Sequence, residues 1–198
     1  MKATLRLARP ASYADYLAVE QLSGHRHELI DGVIVAMAGG SGEHNAIAGR
    51  IAMLLGQRLR RGCRYYAPDQ RFWIASQARA RYADGSIICG RPDRVPHDAQ
   101  AFTNPLIVVE VLSPSSQGDD DGDKREDYQS LSSLQAYVLA SQDERAVRVY
   151  RRTEGETWQV AATYHDGQSF ELPTLSSAIS VAEIYDDILD GEGRSLLR

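Results

Sequence analysis

A single carboxylate, Glu110, interrupts the apolar run from Leu106 to Leu112 within PLIVVEVLSPSSQGDDDGDKREDY (105–128). A charge in a strand that otherwise reads as buried costs several kcal/mol unless a cation, a metal ion or a catalytic role compensates it. A second carboxylate, Asp84, stands in RYADGSIIC (81–89), at the entrance to the apolar pair Ile87 and Ile88. If the two strands are neighbours, the acids converge on one sheet edge and repel each other unless a divalent cation neutralises them. Hard oxygen ligands suit Mg²⁺, which takes one or two carboxylates and completes its shell with water and substrate phosphate. Lys124 lies beyond a Pro/Ser/Gly/Asp loop, where it could orient or deprotonate an attacking water and offset developing negative charge. Asp84, Glu110 and Lys124 together fit metal-assisted phosphodiester hydrolysis. The plainer alternative is that Asp84 caps a turn, Glu110 pairs with a buried arginine and Lys124 is solvated.

The elements that must position these residues follow from local pattern. Ser12 with Asp15 three residues on marks a helix start, and Tyr16, Leu17, Val19 and Leu22 form its apolar face. Residues 27–30 and 33–37 flank Asp31-Gly32, a two-residue hairpin turn that puts Glu28 on a strand. The loop Gly39 to Gly42 reads as a hinge or helix entry, because it lacks the Gly-Lys-Ser/Thr of a P-loop. It leads through His44 into a helix over about 43–60, with Ile47, Ile51, Leu54, Leu55 and Leu59 at helical spacing. Strands are expected at 64–67 and 70–75 across the turn Pro68-Asp69, then over 81–89, with 90–104 polar and irregular. A helix over 121–131 and strands at 135–140, 147–151, 158–164 and 170–172 follow, with a short helix after Ser180. The expected architecture is α/β or α+β, a mixed sheet with helices on its faces.

Composition narrows the class. The chain has 198 residues, 43% hydrophobic and 25% charged, which suits one globular domain with a core over about 12–187 and a frayed tail at 190–198. It shows no membrane-length apolar run and no secretory h-region, so a cytoplasmic protein is expected. Cys63 and Cys89 have no CxxC spacing and read as reduced, semi-buried side chains. The net charge of -5 is unevenly spread. Residues 1–81 hold 12 Lys/Arg against 6 Asp/Glu (+6), and residues 82–198 hold 10 against 21 (-11). A basic half could face a phosphate backbone while the acidic half holds metal, although ordinary charge variation explains the split equally well. Lys124 is the only lysine beyond Lys2, in a chain otherwise supplied with arginine.

The chain resembles the PD-(D/E)xK nuclease superfamily and, within it, the restriction-endonuclease-like family often called Uma-two. The resemblance runs from about Tyr16 to Tyr185, through HELIDGVIVAM (27–37), His44-Asn45, RYADGSII (81–88), NPLIVVEVLSPSS (104–116), Lys124 with Tyr128, and AYVLASQDERAVRVYRR (136–152). It implies that Asp84 and Glu110 hold Mg²⁺, with Mn²⁺ as a substitute, and that the backbone carbonyl of Val111 is a further ligand. Lys124 would position the water, Glu28 would supply an extra acid beside the metal, and His44, Arg50 and Arg81 would steady the phosphates. The implied reaction is hydrolysis of DNA to leave a 5′ phosphate, with a homodimer as a plausible assembly. Two departures stand out. Leu112 occupies the place of the motif lysine, which points to a lysine that has migrated to the following helix, and Ala83 replaces the motif proline.

Other features are read as structural. Pro68-Asp69 and Pro92-Asp93 are turns, the acidic run 119–123 is a solvated loop without calcium-loop spacing, and Ser113 to Ser116 form a turn. His25, His27, His97 and His165 are surface or packing residues, and Tyr65, Tyr66, Phe72 and Trp73 are core aromatics before they are base-stacking ones. The rival from another class is a nucleic-acid-binding or protein-interaction module that keeps the fold without turnover.

Overall fold

The structure is a computed structural model that describes residues 4–5, 9–112, 117–154, 157–159 and 161–188. The sequence readings at Ser113 to Ser116 and in the tail 190–198 lie outside these residues. In chain order the first half comprises β1 (Thr4–Leu5), α1 (Tyr13–Leu22), β2 (His27–Ile30), β3 (Val33–Ala36), α2 (Gly42–Arg58), β4 (Cys63–Tyr66), β5 (Arg71–Ile74), β6 (Arg79–Tyr82) and β7 (Gly85–Cys89). The second half adds β8 (Arg94–Val95), β9 (Asp98–Phe102), β10 (Ile107–Leu112), α3 (Gln117–Asp120), α4 (Asp123–Gln129), β11 (Ala136–Ser141), β12 (Ala146–Arg151), β13 (Ala162–His165), β14 (Ser169–Phe170), β15 (Ile179–Ser180) and α5 (Val181–Tyr185).

The strands form a mixed α+β architecture. One sheet has the order β13-β12-β11-β10-β7-β4, a second the order β1-β3-β2-β6-β5-β9-β8, and β14 pairs with β15. Within the first sheet only β10 and β11 are parallel, and both are buried along almost their whole length. Period-two alternation divides the faces of β10. Ile107, Val109 and Val111 pack with Ile47, Ile51, Leu54 and Leu55 of α2. Val108 and Leu112 pack with Phe72, Tyr128 and Tyr137 on the opposite side. Glu110 therefore shares its face with the cluster that contains α4, which is why a lysine of that helix can reach it.

Capping fixes the helix starts. Ser12 and Asp15 form a reciprocal capping box at α1, Ser41 caps α2 through the His44 N–H, and Ser180 with Glu183 caps α5. The hairpin β2–β3 turns at Asp31 and Gly32, both with positive φ, and a Cβ at Gly32 would collide with Pro10.

Several expectations need correction. Residues 81–89 are not one strand: β6 belongs to the second sheet and β7 to the first, and the chain changes sheet at Ala83 and Asp84. The turn at Pro68-Asp69 likewise joins strands of different sheets and makes no hairpin. Residues 90–104 contain β8, a two-residue edge strand, and β9, which lies between β8 and β5 and buries Asp98 while Ala99 and Gln100 stay exposed. Cys63 and Cys89 face each other in the β4–β7 register and form a disulfide, a pairing that their separation in the sequence hides.

The second sheet is clamped to α1 by ions. Arg71 binds Glu20 at 3.2 Å and Asp98 at 2.7 Å, all three buried. Tyr13 donates to Asp98 at 2.6 Å and Tyr82 to Glu20 at 2.6 Å. Burial alone would raise the Asp98 carboxyl, but the Tyr13 hydroxyl and the Arg71 guanidinium outweigh it and hold it below the usual aspartate value. A lowered folded-state pKa contributes stability above the unfolded value that is lost as pH falls through the folded one. Asp98→Asn is expected to lower the unfolding free energy by about 2 kcal/mol at neutral pH. In urea titrations across pH, the gap to the unaltered protein should close below about pH 4.

Candidate active site

The antiparallel pairing of β7 with β10 ends at Gly85 opposite Val109. Carrying that register one step further sets Asp84 opposite Glu110, so the strand edge itself brings the two acids together. Asp84 accepts the Val111 N–H at 2.8 Å on Oδ2 and lies 3.1 Å from His44 Nε2 on Oδ1. Gly85 follows because the Tyr65 ring packs directly where a side chain would begin. Gly40 plays the same part for His44, whose ring would meet a Cβ there at 2.5 Å.

Lys124, on the first turn of α4, reaches the same point from the other side. Its Nζ stands 3.0 Å from Glu110, 3.4 Å from Asp120 and 3.9 Å from Glu28. Glu28 is fixed in turn, accepting from Arg81 at 3.1 Å and from the Tyr82 N–H at 3.1 Å. Three carboxylates thus surround one ammonium, with Asp84 close by. Burial raises the Glu110 carboxyl well above its ordinary value, and Asp84 and Asp120 push it the same way against the pull of Lys124. Burial would lower the Lys124 ammonium, but Glu110, Glu28 and Asp120 together hold it well above its ordinary value. At Asp84, burial is outweighed by the His44 hydrogen bond and the Lys124 charge, and the carboxyl is lowered. The His44 imidazole is raised by its bond to Asp84.

These groups open into a cleft of about 850 Å³ whose lining includes Glu28, His44, Asp84, Glu110, Asp120 and Lys124. The donor set fits a hard divalent cation. Carboxylate oxygens exceed nearby positive charge, and Glu110 Oε1 is buried with no hydrogen-bond partner beyond its ion pair with Lys124. Among the described residues no three His, Cys, Asp or Glu side chains close on one point; Mg²⁺ needs only one or two carboxylates beside its water.

Of the residues expected from sequence, Asp84, Glu110, Lys124, Glu28 and His44 come together, with Val111 touching Asp84 through its N–H. Two do not. Arg81 is fully buried and spent on Glu28 and Asp127, so no phosphate can reach it. Arg50 projects elsewhere, bonding the carbonyl of Asp186 at 3.0 Å and lining a different hollow with Met53 and Ile188. Other cleft residues escape a reading of the sequence. Asp120 belongs to an acidic run that reads as solvated, yet it is 5% exposed, and its neighbour Asp121 binds Arg148 and Tyr150. Its i,i+4 spacing to Lys124 is the one signal that the sequence carries. Gln142, beyond β11, lines the cleft with its Oε1 buried and unbonded, and His25 and the exposed Asp69 also line it. Asp93, of the other Pro-Asp pair, does not line it.

A mixed sheet flanked by helices, with Glu110 on β10 and Asp84 in the bend before β7, is a restriction-endonuclease-like fold. The chain belongs to the family described as "Putative restriction endonuclease" (Uma2), whose model matches residues 13–183. It is 32% identical to the uncharacterised protein slr1290 of Synechocystis sp. over 86% of this chain and 89% of that one. It is also 32% identical to sll1609 of the same organism, over 80% and 90%. Its fold is similar to the crystal structure of "a putative nuclease belonging to DUF820" from Anabaena variabilis, with a TM-score of 0.72 and 19% identity over 88% of this chain and 97% of that one.

The charge arrangement makes a stability prediction independent of catalysis. Lys124→Met strands three buried carboxylates and should cost about 3 kcal/mol in urea denaturation with EDTA present. Adding Glu110→Gln should recover part of that loss, and the two changes should be non-additive.

Proposed function

We propose that the protein is a Mg²⁺-dependent endonuclease that hydrolyses phosphodiester bonds in DNA. The observation that carries this reading is the buried surplus of carboxylate on the cleft floor, concentrated at Asp84 and Glu110 and only partly neutralised by Lys124. Asp84, Glu110 and the carbonyl of Val111 would hold Mg²⁺, with Mn²⁺ as a substitute. Bound there, the ion supplies Lewis-acid neutralisation of the phosphate and lowers the pKa of water.

The chain's own residues do the remainder. Lys124 Nζ orients the attacking water and offsets charge on the phosphate oxygens as the P–O bond to the leaving 3′ oxygen breaks, leaving a 5′ phosphate. Glu28 and Asp120 hold that ammonium in place, and Arg81 holds Glu28. His44, half-buried at the start of α2 and charged more readily beside Asp84, is placed to donate to a phosphate oxygen. Cutting both strands of a duplex would call for two copies, so we infer a homodimer, and we place the protein in the cytoplasm with its substrate. No helix among the described residues is long and apolar enough to cross a membrane.

Incubation of plasmid DNA with the purified chain and Mg²⁺ should produce cleavage that EDTA abolishes. Asp84→Asn, Glu110→Gln and Lys124→Ala should each slow it by at least about 10²-fold. A chain that binds DNA yet leaves it intact with either Mg²⁺ or Mn²⁺ would instead establish the non-catalytic binding module.

A further inference from the structure

The arginines sort by what they touch. Most of those described have a carboxylate or a main-chain carbonyl: Arg58 reaches Glu183 and Ser177, Arg94 the carbonyl of Ala99, and Arg152 those of Gln129, Leu131 and Leu134. Among the described residues Arg60, Arg61 and Arg91 have neither, and all three are exposed. They are not scattered. β4 and β7 terminate side by side, with Cys63 opposite Cys89 and the Gly90 N–H donating to the Gly62 carbonyl at 2.8 Å. That junction sets Arg60 and Arg61 beside Arg91. Arg64, exposed on β4, adds a fourth cation whose single bond is 3.4 Å long, to the Gly90 carbonyl. Residues 60–64 and 90–92 contain no acid, and the exposed Asp93 that follows makes no ion pair with these arginines. The neighbouring segment 172–177, whose Thr174 carbonyl accepts the Arg60 N–H at 2.9 Å, contains no acid either.

Four clustered cations without counterions repel one another, and a polyanion relieves that repulsion while releasing its own condensed ions. The cleft itself is acidic and gains no affinity for a phosphate backbone by charge. We propose that this arginine corner is a second contact surface, binding the phosphate backbone of duplex DNA at a distance from the cleft. β7 links the two places, with Asp84 before it and Arg91 beyond its far end. Seven residue steps at roughly 3.3 Å each separate them by at most about 23 Å. That equals roughly seven steps of a duplex at about 3.4 Å per step. A stiff duplex spans the gap without an ordering cost, whereas a single strand must first be extended. The choice of partner rests on reading the cleft as a phosphodiester site; the surface itself does not.

The test is a full-length chain carrying Arg60→Ser, Arg61→Ser and Arg91→Ser, all surface changes that leave the core intact. Affinity for a fluorescent duplex is measured by anisotropy in EDTA over a salt series, so that no strand is cut. The slope of log K against log salt should shrink in magnitude by about 2.7, at about 0.9 for each phosphate no longer neutralised. Hydrolysis of the small diester bis(p-nitrophenyl) phosphate with Mg²⁺, which engages only the cleft, should stay at the level of the unaltered chain. An unchanged slope overturns the proposal. So does a variant that keeps its duplex affinity but loses binding to anionic vesicles or polyglutamate, which would assign the corner to a lipid or protein partner. If the unaltered chain hydrolyses no diester while the slope falls as stated, the reading of the cleft fails and the arginine corner stands.

Discussion

One ammonium among three buried carboxylates is the constraint on which the site depends. Lys124 could not remain charged at 7% exposure without Glu110, Glu28 and Asp120, and they could not remain together without it. The balance is unequal, because Asp84 adds a further negative group that His44 offsets only when protonated. Protein interiors seldom keep such an excess, since a shifted pKa or an apolar replacement would relieve it. An excess that opens into a cleft can be offset by a bound cation, as we propose for this site, and several elements of the fold maintain it.

Those elements act through register more than through local chemistry. The β7–β10 ladder sets Asp84 against Glu110, and the alternation of β10 turns Glu110 toward α4 and not toward α2. The parallel β10–β11 pair, buried on both faces, fixes the height of Glu110. The change of sheet at Ala83 and Asp84 also explains why Arg81 cannot serve a substrate. It sits on the strand before the crossover, enclosed with Asp127 and Glu28, and its charge supports the site from beneath.

The sequence made legible whatever depended on local pattern. Glu110 stood out because it broke an apolar run, Ser12 and Ser180 because they cap, and Asp31-Gly32 because it is among the pairs that favour a two-residue hairpin turn. The residue pattern already offered Lys124, the only lysine beyond Lys2, and family resemblance then read it as a motif lysine moved to the following helix. What was hidden depended on partners distant in the chain. Strands β6 and β7 read as one because nothing in RYADGSIIC announces that two residues lead into another sheet. Cys63 and Cys89 looked unpaired because their closeness arises only in the β4–β7 register. Asp120 was concealed by its acidic neighbours, since composition describes a run and cannot say which member turns inward.

The most direct measurement is the anomalous difference map of a crystal of the protein grown with Mn²⁺. The account predicts a peak within coordination distance of both Asp84 and Glu110, with the Lys124 ammonium withdrawn from Glu110 toward Glu28 and Asp120. Crystals that hold saturating Mn²⁺ in solution, yet show no peak there and keep Lys124 seated on Glu110, would contradict it: the carboxylate surplus would then be a structural ion cluster and not a metal centre.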